Sequence, residues 1–382
     1  MQPNNSCPLP LSHCTVVDLS WLLPGQFATR ILRDLGARVI KIELPGGDYA
    51  RDLRPRGYAS VNRGKQGLTL DLKKDGAREV LYRLVRKADV FVEGFRPGVV
   101  ARLGASYEQL SSVRPDLIYC SISGFGQEGT RRLRVGHGLN FSSLAGMQSL
   151  AGRSTALTPI IADLAGSLYA AIAILSAMAA VPRKGQYIDL SITDSVFGLM
   201  TEILAGDHGS ADEDGNAVGA FGVYEAADGA LLSVGAVEDQ FWRALCDAIG
   251  RPEWGGRPGW DSFEGRRENG AEIQAALQSI FALRPREELL DLLDGVGVPS
   301  EPVNTLAEAV ADPIASERDV ISWIDEPDLG AIAQVRFPAR FVTGSEAEAA
   351  PAPRVGEHTE SILSELEFSQ EEIQLLQSHS AV

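Results

Sequence analysis

The chain has 382 residues, 45% of them hydrophobic and 23% charged, the make-up of a soluble globular enzyme with room for a large domain and a smaller one. A net charge of −16 suits the whole molecule poorly to nucleic acid, and the four cysteines, Cys7, Cys14, Cys120 and Cys246, form no Cys-x-x-Cys pair and have no His at metal spacing, which argues against zinc and against a disulfide framework. The longest apolar run, Ala170 to Val181, is too short for a bilayer and the N-terminus lacks a signal pattern, so a cytoplasmic protein without a membrane span is expected.

Taken in order, Thr15–Leu19 reads as a buried strand, Pro24-Gly25 opens a helix pattern running to Gly36, and Arg38–Glu43 is the next strand. This is a βαβ unit, so the two strands should be parallel. No Gly-x-Gly-x-x-Gly follows the first strand, only Leu23-Pro24-Gly25-Gln26, which counts against a nicotinamide or flavin dinucleotide. Strands at 68–72, 90–93 and 117–121 alternate with helices near 75–87 and 97–103, and an open, mostly parallel α/β sheet is expected. This half is also the basic one: up to Arg134 there are 21 Lys and Arg against 13 Asp and Glu, and beyond it 14 against 38. Such a half suits a compact polyanion such as a nucleotide-like cofactor, or is simply a solvated face.

The stretch from Arg134 to Asp163 stands out next. Gly136-His137-Gly138 sets an imidazole between two glycines, which let backbone approach a ligand closely, and Pro159-Ile160-Ile161-Ala162-Asp163 ends an apolar run on a carboxylate. A small-residue helix pattern follows Asp163, which places the carboxylate at a helix N-terminus, where the macrodipole favours its ionised form. The two read as bases presented by separate loops; the plainer readings are a loop histidine and an ordinary N-cap.

Beyond it, 186–192 is one more strand and 194–205 a helix. The boundaries expected are a large domain over 1–206 completed by 331–382, an acidic, Gly-rich linker over 207–220 and a small α+β domain over 221–330. The small domain should hold a hairpin over the Asp228-Gly229 turn and helices at 240–249, 271–282 and 285–293. A strand-like 333–341 and two short helix patterns after Gly356 close the chain.

Eight ordered motifs carry a resemblance: Val-Val-Asp-Leu-Ser with Pro24-Gly25, Gly-Ala-Arg-Val-Ile-Lys-Ile-Glu, Leu-Thr-Leu-Asp-Leu-Lys at 68–73, Val-Glu-Gly-Phe-Arg-Pro-Gly at 92–98, Ser-Gly-Phe-Gly at 123–126, Gly136-His137 with Asn140, Ala-Asp-Leu-Ala-Gly at 162–166 and Gly-Glu-His-Thr at 356–359. Over nearly its whole length the chain resembles the family III CoA transferases, and within that superfamily it looks most like the α-methylacyl-CoA racemases. The resemblance implies a Rossmann-like large domain built from both chain ends and an interlocked homodimer with an acyl-CoA thioester between subunits. It implies no prosthetic group, with coenzyme A present as part of the substrate, and no nucleic acid, membrane or metal partner. It carries the catalytic carboxylate onto Asp163, which serves as nucleophile in members that move CoA between acids. The racemase residues fall on His137 and on Glu238, which would pair with the imidazole; on spacing alone Glu238 is equally a helix N-cap. CoA contacts carry over to Leu70, Lys73, Gly94, Phe95, Arg96, Arg102 and the loop Gly136, Gly138, Leu139, Asn140 and Phe141.

Racemisation next to a thioester carbonyl needs one base to take the α-proton and a protonated partner to return one to the other face, and His137 and Asp163 match that requirement. Racemase is therefore the first expectation, CoA transfer through an aspartyl anhydride the second, and a non-catalytic CoA-binding subunit the third. Two positions depart from the racemase pattern: Gly138 stands where an Asp usually follows the His, and Leu44 where an Arg usually ends the second strand, leaving that contact absent or supplied by a neighbour such as Lys41.

Overall fold

The apolar runs between turn signals assemble into one sheet. In the computed structural model, which describes residues 7–206, 219–341 and 347–382, strands β1 (Thr15–Leu19), β2 (Arg38–Glu43), β3 (Gln66–Thr69), β4 (Val90–Glu93), β5 (Ile118–Ser123) and β6 (Gln186–Ser191) stand in the order β3-β2-β1-β4-β5-β6. Every neighbouring pair is parallel, with Val17 opposite Ile40 on one side and Phe91 on the other. The expected open parallel α/β sheet is thus the fold; β1 to β5 are buried runs rather than alternating ones, as in a sheet covered on both faces, while β6 at the edge is exposed over much of its length. Val17, Leu19, Ile40, Ile42, Phe91 and Tyr119 form one core with Val80, Leu81 and Leu84 of helix Ala77–Arg86 and with Ile362, Leu363 and Leu376 near the chain's end. The C-terminal residues are tied to the edge strand by His358 N–H to Gly67 O at 2.9 Å and Asp71 N–H to Ala381 O at 2.8 Å.

The chain divides into two units, one with the described residues up to Met200 together with Asp319–Val382, the other Thr201–Arg318. Within the second, β7 (Phe221–Glu225) and β8 (Leu231–Gly235) form the expected hairpin, Gly229 supplying a φ of 78° in its turn, and β9 (Ser300–Pro302) adds an edge. Its core is built on Trp242, Trp260, Leu277 and Phe281. All but the last two residues of the expected linker, 207–220, lie outside the described residues.

Two element expectations change. The strand expected at 333–341 is β11 (Gly330–Val335), paired antiparallel with β10 (Ile321–Glu326). The helix expected to begin at Asp163 runs over Thr158–Ala179, with Pro159 in its first turn, the position where a missing N–H costs nothing. That helix is long and apolar enough by composition to cross a membrane, yet here it packs on β5, β6 and helix Leu23–Asp34.

Candidate active site

In a sheet of this order the connections leave β1 and β4 in opposite directions, and the gap they open at the strands' carboxyl ends is where open α/β sheets place ligands. A hollow of about 290 Å³ lies there, walled by Trp21 and Leu22 after β1, by Gly94–Pro97 after β4, and by Ile122–Phe125 of β5 and the turn after it. His137 and Asp163 both line it.

His137 is the last extended residue, φ −129° and ψ 175°, before helix Gly138–Leu144. Its N–H donates to Asn140 Oδ1 at 3.0 Å and its carbonyl accepts from Asn140 N–H at 2.7 Å, so the turn is locked while the imidazole stays exposed. The flanking glycines line the hollow, and the protein's own packing also requires them. A Cβ on Gly138 would stand 2.1 Å from the Pro159 carbonyl oxygen, and one on Gly136 would stand 2.8 Å from the Phe141 ring. This close seating of the His137 loop on the first turn of helix Thr158–Ala179 brings the imidazole and the carboxylate to one hollow.

Asp163 sits in the second turn of its helix, past the free N–H groups, so the helix-end stabilisation expected for it is absent. Its carboxyl moves the other way: burial raises it from 3.8 to about 6, with the charges of Arg54 and His137 pulling back. The residues that open that helix, Thr158–Ile161, are not among those lining the hollow. The start of helix Leu23–Asp34 lines the hollow instead, through Leu22, Pro24 and Gly25.

The residues expected to contact CoA divide between this hollow and a second one. Gly94, Phe95, Arg96, Gly136, Gly138 and Phe141 line the first; Leu139 and Asn140 do not, the Asn140 side chain being used as the cap on His137. Leu70, Lys73 and Arg102 line a hollow of about 460 Å³ beyond the ends of β1 to β3, with Leu44 on its wall. Trp21 and Phe95 border both, their ring centroids 6.0 Å apart. Lys41 is no substitute for an arginine at Leu44: it is fully buried, donates to Ser20 O at 2.8 Å and pairs with Asp48 at 3.3 Å.

Sequence reasoning passed over the support beneath this site. Asp18, fully buried, accepts from Lys65 at 3.0 Å, from Thr29 at 2.6 Å and from the Ser20 N–H at 3.0 Å. Burial opposes its charge, but Lys65 and Lys41 with the Ser20 and Thr29 hydroxyls hold its carboxyl below the usual range, while burial brings Lys65 down to about 8. This cluster fixes the Ser20 turn that delivers Trp21 and Leu22, the latter at φ 65°, a backbone conformation rare for a branched residue. Also missed were Arg132 and Arg134, which line the first hollow just ahead of His137; their basic run was visible in the sequence.

Glu238 belongs to the second unit, where it is exposed and directly precedes helix Asp239–Ala248. Its carbonyl accepts from Trp242 N–H at 2.9 Å, but its side chain does not cap the helix, so the carboxylate is not spent on that role.

Residues 11–359 match the model of CoA-transferase family III. Acetyl-CoA:oxalate CoA-transferase of Acetobacter aceti is 34% identical over 332 residues, 82% of this chain and 85% of that one. Alpha-methylacyl-CoA racemase of Homo sapiens is 33% identical over 391 residues, 98% of each chain, and succinyl-CoA-dependent transferases are similar to a like degree. The crystal structure of a CAIB/BAIF family protein from Brucella suis, 31% identical, superimposes with a TM-score of 0.80 over 94% of this chain and 100% of that one.

Proposed function

The chain belongs to CoA-transferase family III, and on that premise we propose that it is an acyl-CoA racemase or epimerase that inverts the α-carbon of a 2-methyl-branched acyl-CoA by two-base proton transfer through an enolate. The observation that carries this reading is that one hollow at the switch point is lined by both His137 and Asp163, with the carboxyl brought to about 6. A group that titrates near neutrality is available both to take a proton and to return one. One of the pair removes the α-proton from its face of the thioester and the other, protonated, delivers to the opposite face; the roles exchange for the other epimer. Glu238 is the third residue of this reading, the acid to which the resemblance assigns support of the imidazolium, and its carboxylate caps no helix. The enolate oxygen faces the first N–H groups of helix Leu23–Asp34, which have no partner within the helix.

CoA lies along the two hollows, its phosphates met by Arg96, Arg102 and Lys73 and its thioester carried past Trp21 and Phe95 to His137. The protein acts as a homodimer. Helix Thr158–Ala179 leaves Ile160, Leu168, Tyr169 and Ile172 exposed, Ile172 by 57%, an apolar face that a second copy covers.

CoA transfer is the second reading, and two observations favour it. The contact of Gly138 with the Pro159 carbonyl leaves no room for the carboxylate that follows the His in racemases, and most of the curated relatives carry transferase names. Here Asp163 attacks the thioester carbonyl and CoA thiolate leaves; an acceptor carboxylate then opens the anhydride at the Asp163 carbonyl and releases the donor acid, and CoA thiolate attacks the acceptor's carbonyl to form the new thioester and free Asp163. Incubation with 2-methylacyl-CoA in deuterium oxide without any acceptor acid separates the two. Deuterium entering the α-position supports the racemase; an unlabelled substrate together with CoA transfer once an acid is added replaces it with the transferase.

A further inference from the structure

We infer that Glu93 is a positioning residue whose carboxyl ties the Gly94–Pro97 loop to the end of β5, and so sets Phe95 and Arg96 for CoA. Glu93 closes β4 and is 1% exposed. One of its oxygens accepts from the Phe95 N–H at 2.7 Å, an N–H that no strand or helix satisfies, and the other accepts from the Ser121 hydroxyl. The Ser121 oxygen in turn accepts from the Gln127 side-chain amide at 2.7 Å, and the Gln127 N–H reaches Asp189 on β6 at 3.0 Å. The carboxyl ends of β4, β5 and β6 are joined in this way, and the two loops on either side, Gly94–Pro97 and Ser123–Phe125, both wall the hollow that holds His137 and Asp163.

An ion pair does not account for a carboxyl at this place. Burial, and after it Asp189, push Glu93 up to about 7, and only its two hydrogen bonds act the other way. A buried carboxyl kept at that cost serves through its acceptor positions, which a neutral residue of the same shape largely reproduces. The inference rests on the reading that the hollow takes CoA, but not on the choice between racemase and transferase.

Calorimetric titration of the full-length protein with free CoA tests it. A wild type that binds no CoA overturns the CoA reading itself; a wild type that binds while Glu93→Ala binds equally well overturns this inference alone. The expected result is a Kd raised about tenfold in Glu93→Ala, as for loss of a charge-assisted hydrogen bond, and within about threefold of wild type in Glu93→Gln, whose amide oxygen still accepts from Phe95. Combining Glu93→Ala with Arg96→Ala should add little beyond the larger single effect, because one acts through the other. Should Glu93→Ala fail to fold, Ser121→Ala decides, since it cuts the same link from the other side: weaker CoA binding supports the role and unchanged binding contradicts it. Glu93→Gln as poor as Glu93→Ala, or fully additive losses with Arg96→Ala, also contradicts it.

Discussion

The Asp163 carboxyl titrates at about 6 rather than 3.8 because the fold desolvates it, and this sets chemistry against stability at one residue. Its pKa is raised on folding, so between about 4 and 6 the native state binds more protons than the unfolded chain, and stability falls as pH rises through that window. Above it the full penalty persists, up to about 3 kcal/mol and less where solvent reaches the group. Asp163→Asn should therefore abolish exchange and transfer alike, yet raise stability to denaturant by about 1–3 kcal/mol at pH 7.5, with the gain gone near pH 4. An Asn variant no more stable than wild type at pH 7.5 would place the carboxylate in a wetter setting than described. Gly138 gives the converse case. Gly138→Ala forces a Cβ against the Pro159 carbonyl, so stability should drop by about 1–3 kcal/mol and the rate should fall as His137 shifts; a wild-type rate and melting temperature would remove the packing account of this glycine.

Among the elements, those bounded by punctuation are legible in the sequence. β1 and β2 are apolar runs flanked by Pro-Gly and Gly signals, and the Asp228-Gly229 hairpin announces itself. The start of helix Thr158–Ala179 is misread because the eye goes to the Asp before the small-residue run, although Pro159, four residues ahead of that carboxylate, is itself a first-turn signal. β10 escapes because its turn, with Asp328 at φ 67° and Gly330 at φ 68°, is read as the approach to a strand further on. The candidate site is half legible. His137 and Asp163 stand out as residue types, but the Asp18, Lys65, Lys41 and Asp48 cluster beneath them is invisible, since its members are 47 positions apart at the extreme and come together only through the sheet. Lys65→Met leaves Asp18 a buried carboxylate short of its closest cation, and should cost about 3–5 kcal/mol in denaturant unfolding. A cost below about 1 kcal/mol would mean that the cluster is wetter or more adaptable than its burial indicates.

For the whole molecule, the uneven charge has a consequence that the net value of −16 hides. Arg96, Arg102 and Lys73 line the two hollows in the basic part of the chain, so on the proposed reading CoA binding should weaken steadily as salt rises from 0.05 to about 0.5 M. Salt-independent binding would put the phosphates elsewhere. The central claim, that two groups in one hollow serve opposite faces of the α-carbon, is tested most directly by following α-proton exchange of each epimer separately, in deuterium oxide, with wild type and His137→Ala. Wild type should exchange both epimers. His137→Ala should lose inversion by about 10²–10⁴-fold while Asp163 still exchanges the proton of one epimer alone and CoA affinity is kept. Equal exchange of both epimers by His137→Ala, or none by wild type together with CoA transfer to an added acid, would contradict the account.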